Sequence, residues 1–307
     1  MEGVCAGDTL AMARAITEIE NGSLAGVELG LAAQELNPRT ATLGVTGPPG
    51  AGKSSLINAL IGELLPRFAR IGVLTVDPSS PVSGGAVLGD RVRMAAHSAN
   101  PGVFIRSLAA RGHLGGVTRT TRKVIDLLAA GGMELVIVET VGTGQSEVEV
   151  AELTDVKLMV CAPGMGDEMQ AIKAGVLEVA DLLVVNKADL PDADRTANFL
   201  RAMLMHRGDA EHRVALKVST LRREGLAELA GGICARLERA GERYAPALRT
   251  DPPQAALARD TAELVMAMIR ETADPAITAL ADDVAGGSIA RRDAARKAIG
   301  LLARDVG

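Results

Sequence analysis

GPPGAGKSS, residues 47–55, is the stretch on which the reading of this 307-residue chain turns. Gly47-Pro-Pro-Gly50-Ala51-Gly52-Lys53-Ser54 follows G-x-x-x-x-G-K-[ST], the pattern of a loop whose backbone N–H groups turn inward around phosphate oxygens. In that pattern Lys53 brings a point charge to the outer phosphates and Ser54 offers a hydroxyl to Mg2+, with Ser55 completing the nucleotide-binding run. The apolar run ATLGVT (41–46) before it reads as a buried strand, and SSLINALIGELL after it reads as a helix whose N-terminus lies beneath the anion. Such loops serve kinases, ATPases, transporters and GTP switches alike, so the nucleotide has to be read from elsewhere in the chain.

Working outward, short β-branched runs recur at IGVLTV (71–76), VFIR (103–106), ELVIVE (134–139), VKLMVC (156–161), DLLVVN (181–186) and VALKVS (214–219). Helical spacing fills most of the intervals, which predicts an α/β, P-loop NTPase fold with a mostly parallel sheet covered by helices on both faces. Ligands of such folds bind at the carboxyl ends of the strands. Residues 8–36 and about 253–304 carry helical periodicity without strands. DPPQ (251–254) opens the second of these stretches, and AGGS (285–288) is expected to break it into a helical pair. The expected organisation is a helical extension over 1–38, a GTPase domain over 39–245 and a helical dimerisation arm over 246–307.

The composition is 48% hydrophobic with three Phe, one Tyr and no Trp, so the core has to be built from aliphatic residues and Met. A formal charge of -5 and the lack of any dense Lys/Arg run argue against nucleic acid or a membrane surface as partner. Cys5, Cys161 and Cys234 lie too far apart for a zinc site or a disulfide framework, and the four His show no ligand spacing. With no signal-like N-terminus and no apolar run of membrane-spanning length, the chain reads as soluble and cytoplasmic.

Base identity is read from VVNKADL, where Asn186, Lys187 and Asp189 form N-K-x-D at a strand end. A carboxylate accepts from both the ring N–H and the amino group of guanine, whereas adenine would leave it unpaired; the nucleotide is therefore expected to be GTP. KVST (217–220) falls where G proteins keep a second base-contacting loop, which makes Ser219, Thr220 and Leu221 candidates. In LVIVETVGTGQSE, Glu139 is placed to act on Mg2+ through its water shell and the Gly142 N–H to meet the γ-phosphate. Thr143 stands where small G proteins carry a water-orienting Gln, which predicts slow hydrolysis. Asp77, ending IGVLTVD, and Asp90, in LGDRVRM, are further candidate Mg2+ or switch carboxylates, with helix capping as the alternative for each.

In GPPGAGKSS, VDPSSPVSGGAVLGDRVRM, VETVGTGQSEVEVAELTD, PGMGDEMQAIKAGVLEVAD and NKAD the chain resembles the MeaB/ArgK family of G proteins associated with methylmalonyl-CoA mutase. The resemblance covers residues 8 to about 240, and more loosely DPAITALADDVAGGSIARRDAARKAI. It implies that Lys53 and Ser54 bind phosphate and Mg2+ and that Asp77, Asp90 and Glu139 form the acidic metal and switch set, Lys53, Asp90, Glu139 and Gly142 being the catalytic group. It also implies that Gly89 to Met94 and Gly142 to Glu147 are switch regions, and that Asp167, Glu168, Gln170 and Lys173 relay nucleotide state to a client. The implied cofactors are GTP/GDP and Mg2+. The implied partners are a B12-dependent acyl-CoA mutase, an adenosyltransferase and a second copy of the chain. A nickel-insertion GTPase chaperone and a P-loop kinase are the alternatives; the first would need His or Cys metal ligands, and the second would leave NKAD unexplained.

Overall fold

The computed structural model describes residues 1–36, 39–78, 97, 100–110, 116–140, 153–164, 180–206, 215–243 and 252–305. The aliphatic runs form strands β1 (Ala41–Thr46), β2 (Ile71–Pro78), β3 (Val103–Ala110), β4 (Leu135–Thr140), β5 (Val156–Cys161), β6 (Leu182–Val185) and β7 (Ala215–Lys217). They lie side by side in the order β3-β2-β4-β1-β5-β6-β7, and every pairing is parallel. Parallel neighbours need long crossovers, and among the described residues helices supply those from β1 to β2, β3 to β4 and β6 to β7.

The helices are α1 (Glu2–Cys5), α2 (Thr9–Asn21), α3 (Leu24–Glu35), α4 (Lys53–Leu64), α5 (Gly116–Ala130), α6 (Ala193–His206), α7 (Leu226–Arg243), α8 (Pro253–Glu271), α9 (Pro275–Ala285) and α10 (Arg291–Asp305). Side-chain alternation assigns the two faces of the sheet. Leu43, Val45, Ile137, Leu158 and Val184 pack with Leu56, Leu60 and Ile61 of α4 and Leu229 and Ile233 of α7. Their neighbours Leu74, Leu108, Val136 and Val138 pack on α5 and on Met12, Ile16 and Ile19 of α2, so the N-terminal helices share a core with the sheet. Met159, Cys161, Leu183 and Val185 pack under α6.

Strand β3 runs four residues beyond the apolar VFIR, because its polar residues find partners. Thr75 Oγ1 donates to Ser107 Oγ at 2.8 Å, and Arg106 reaches α2, donating to Glu20 at 2.6 Å and Thr17 at 3.0 Å. The C-terminal stretch corrects the expected helical pair: it holds three helices. The additional break falls at Thr272–Pro275, where Asp274 caps α9 by accepting from Ala276 N and Pro275 disfavours helical backbone in the residue before it. No helix among the described residues is long and apolar enough to cross a membrane.

Candidate nucleotide site

The phosphate loop leaves β1 at Thr46 and enters α4 at Lys53, so it sits at the carboxyl end of the middle strand, where the connections diverge to either side of the sheet. Two of its glycines are required by space. Gly47 has φ 143°, and a Cβ there would stand 2.1 Å from the Val160 carbonyl oxygen; Gly52 has φ 86°, and a Cβ there would meet Asn186 Nδ2 at 2.5 Å. Only glycine lets the loop curl this closely over β5 and the N-K-x-D segment. Lys53 is buried, and its Nζ donates to Gly47 O at 2.7 Å and Pro48 O at 3.2 Å, so the cation lies within the curl of its own loop.

The carboxyl end of β4 delivers Glu139 to the same place. Glu139 is in register with Val45 of β1 and Thr75 of β2, and its side chain is 3% exposed. Ser54 Oγ donates to Glu139 Oε1 at 2.7 Å. One turn into the structure, the sequence thus joins two residues 85 positions apart into a buried oxygen pair. A hydroxyl and a carboxylate are hard oxygen donors of the kind Mg2+ takes, usually with one or two protein carboxylates beside phosphate oxygens and water. Among the described residues no three His, Cys, Asp or Glu side chains converge, so a metal held here would draw most of its ligands from elsewhere. Thr46 and Thr140, which the sequence reading did not single out, sit beside this pair; Thr140 Oγ1 donates to Thr46 Oγ1 at 3.2 Å and ties the two strand ends together. Asp77 lies at the carboxyl end of β2, in register with Ala109 and one step beyond the pair Val76 and Thr140.

The base end is formed by the segment after β6 and the loop after β7. Asn186 N donates to Cys161 O at 2.8 Å, and Asn186 Nδ2 donates to Ala51 O at 3.0 Å and Gly52 O at 3.3 Å, stapling this segment to the phosphate loop. Asn186 Oδ1 is buried and accepts no hydrogen bond from the protein. Lys187 adopts left-handed backbone, φ 56°, uncommon for a side chain of this size, and its Nζ donates to Gly50 O at 2.7 Å. Ala188 N donates to Val218 O, which brings Asp189 against the β7 loop. There Ser219 Oγ donates to Asp189 Oδ1 at 2.5 Å while accepting from Arg222 N at 3.1 Å. The Ser219 hydrogen bond, helped by the Asp189 backbone and the charges of Arg222 and Lys187, holds the Asp189 carboxyl below the usual carboxylate range. Ser219 and Glu224 also pair through both backbone hydrogen bonds, closing a tight loop that leaves Leu221 82% exposed. Cys161 is buried beneath this end, and burial pushes its thiol up to about 12, so it contributes packing rather than nucleophilic chemistry.

The structure therefore brings Gly47, Gly50, Ala51, Gly52, Lys53, Ser54, Glu139, Asn186, Lys187, Asp189 and Ser219 together along the carboxyl edge of the sheet. Thr220 and Leu221 follow Ser219 in the loop, and Ser55 is exposed on the first turn of α4. Asp90, Gly142, Asp167, Glu168, Gln170 and Lys173, with both expected switch regions, lie outside the described residues.

Comparison with known proteins finds a family for this chain. A family model described as methylmalonyl-CoA mutase-associated GTPase MeaB matches residues 12–273. The mouse methylmalonic aciduria type A homolog, mitochondrial, is 40% identical over 198 residues, 62% of this chain and 48% of that one. The GTPase ArgK of Escherichia coli is 48% identical over 150 residues, 49% and 45% of the two chains. Among curated relatives compared, the chain spans between 45% and 63% of their length. The crystal structure of a LAO/AO transport system kinase superposes with a TM-score of 0.63 at 26% identity, covering 98% of this chain and 95% of that one.

Proposed function

The chain belongs to the methylmalonyl-CoA mutase-associated GTPase MeaB family, and from that premise we propose that it binds and slowly hydrolyses GTP to control a B12-dependent acyl-CoA mutase. The observation that carries the nucleotide chemistry is the convergence of two clusters in one cleft: the buried Ser54–Glu139 pair under the phosphate loop, and the Asp189 carboxylate fixed by Ser219. The first suits triphosphate and a hard cation. The second offers paired acceptor oxygens to guanine's ring N–H and amino group, donors that adenine lacks at those ring positions.

In this reading Gly47 to Ser55 bind the phosphates, Lys53 neutralising their developing charge, and Asn186, Lys187, Asp189 and the Ser219–Leu221 loop bind the base. Ser54 and Glu139, joined by Asp77 and Asp90, hold Mg2+, which when bound would neutralise phosphate charge in the cleft. Gly142 meets the γ-phosphate, and Thr143 in place of a water-orienting Gln makes the intrinsic rate slow. The chain's domains divide at 1–38, 39–245 and 246–307, the last forming a homodimer contact in the cytoplasm. Asp167, Glu168, Gln170 and Lys173 relay nucleotide state to the mutase, gating adenosylcobalamin loading and protecting or reactivating the enzyme, with an adenosyltransferase as a further partner. Support for the client comes from the family description and from the mouse relative's name.

The test is to mix the purified chain with a methylmalonyl-CoA mutase and measure complex formation with a non-hydrolysable GTP analogue and with GDP, alongside GTP turnover. Nucleotide-dependent association with faster turnover is the expected result. Turnover and association unaffected by the mutase would refute the client assignment while leaving the GTPase intact.

A further inference from the structure

Helix α8 meets the body of the protein along one stripe, Glu263, Ala267 and Glu271, spaced four residues apart. Ala267 is its one fully buried residue among those described, with Leu264, Val265, Met266 and Met268 half-buried around it. Charge adds to this packing at two points. Glu263 Oε1 accepts from Arg119 at 2.9 Å, and Glu263 Oε2 accepts from Lys123 Nζ. Two turns on, Glu271 Oε1 accepts from Leu24 N at 2.9 Å, at the N-terminus of α3 where the helix dipole favours a carboxylate. The contact is built into the packing of α3 as well: a Cβ at Gly30 would stand 2.9 Å from Lys123 Cδ, so the glycine gives the lysine stem its passage to Glu263. The side chains of Glu263 and Lys123 are 12% and 13% exposed, where solvent and salt screen a pair far less than at the surface.

Both cations belong to α5, and α5 starts at the nucleotide end of the molecule. It follows β3, whose Ala109 is in register with Asp77, and Arg119 lies in its first turn. We propose that Glu263 with Arg119 and Lys123 forms a releasable latch, through which nucleotide state acting on α5 sets whether α8 stays docked on the body. The latch rests on the GTP-binding reading above. Its sensitivity follows from the geometry: a small displacement of the first turn of α5 draws Arg119 away, and a partly buried carboxylate left with half its cationic partners is strongly destabilised. A minor shift at the cleft thereby becomes a change in the docking equilibrium of the C-terminal helices.

Hydrogen exchange on the full-length chain tests this, following peptides from 253–271 with GDP and with a non-hydrolysable GTP analogue, while nucleotide affinity is titrated by fluorescence in the same samples. In the wild-type protein exchange across α8 should differ about tenfold between the two nucleotides, and Glu263→Gln or Lys123→Met should exchange fast in both with nucleotide affinity within about twofold of wild type. Arg119→Gln, at the more exposed cation, gives a second reading of the same latch. Wild-type exchange in Glu263→Gln overturns the latch, and equal wild-type exchange with two nucleotides that demonstrably bind overturns the coupling. A chain that binds neither nucleotide contradicts the functional reading itself and removes the input of the latch.

Discussion

The two ends of the candidate nucleotide site are built on opposite plans. At the phosphate end Lys53, Ser54 and Glu139 are 7%, 7% and 3% exposed and stand on elements that also fill the core: Leu56, Leu60 and Ile61 of α4, and Ile137 of β4. At the base end Lys187 and Asp189 are half-buried and Leu221 is open to solvent, and the position of Asp189 depends on a few hydrogen bonds, chiefly from Ser219. The phosphate end is thus part of the fold, and substitutions there should abolish function by large factors. The proposed base end rests on the fold through a few hydrogen bonds, and substitutions there should have smaller effects.

The largest effect is expected from Lys53→Ala. Removing a buried cation from the phosphate loop should weaken binding of a fluorescent GTP analogue by about 100-fold or more, since hydrogen bonds to charged groups contribute about 1.5–3 kcal/mol each. Near-normal affinity would show that the phosphate end is not the anchor. Glu139→Gln, which keeps the shape of the side chain beside Ser54 and removes its charge, should come next. GTP turnover should fall by about tenfold to 100-fold and the Mg2+ concentration for half-maximal rate should rise, because a neutral amide is a poor ligand for a hard cation. An unchanged Mg2+ titration would take Glu139 out of the metal set.

Ser219→Ala probes the base end and should be milder, about threefold to tenfold in GTP affinity, from the loss of one hydrogen bond that orients Asp189. It also has a pH signature. The Asp189 carboxyl is held below its ordinary value of 3.8, chiefly by Ser219, so the charged form persists as pH falls through the ordinary range and its contribution is lost only below that. Without Ser219 the loss should begin at higher pH, and a titration of GTP affinity against pH for both proteins would show the wild type retaining guanine selectivity further into acid. Leu221→Ala should have the smallest effect, within about twofold, since the side chain is 82% exposed. A larger loss would mean that the exposed loop closes on the nucleotide, and the contrast between the two ends would then be weaker than drawn.

The phosphate end was far more legible in the sequence than the rest. A glycine-rich loop between a buried strand and a helix is a local pattern, and local patterns survive in a single chain. The strands were legible for the same reason, since fully buried parallel strands read as continuous aliphatic runs; β3 was cut short after Arg106 because Ser107 extends the polar interruption, and the partners of these two residues, Glu20 and Thr75, are distant in sequence. The break at Thr272–Pro275 carried a readable signal, an Asp cap followed by Pro, which the apolar periodicity on either side outweighed. The pairing of Glu263 with Lys123 left no local trace, for its partners are 140 residues apart and each reads alone as a solvated charge on an amphipathic helix. The same holds for the Thr46–Thr140 contact, which exists only once β1 and β4 are neighbours.

The proposed nucleotide choice rests on Asp189 selecting guanine, and the most direct measurement exchanges that selectivity. Xanthine carries a carbonyl where guanine carries its amino group, so Asp189→Asn should lower GTP affinity by about 100-fold and raise affinity for xanthosine triphosphate by a comparable factor, with ATP weak for both proteins. Competitive titration of wild type and variant with the three nucleotides gives the result in one experiment. A crossing of GTP and xanthosine triphosphate affinities is what this structure predicts; GTP affinity unchanged by the substitution, or a wild-type chain that binds ATP as tightly as GTP, would contradict it.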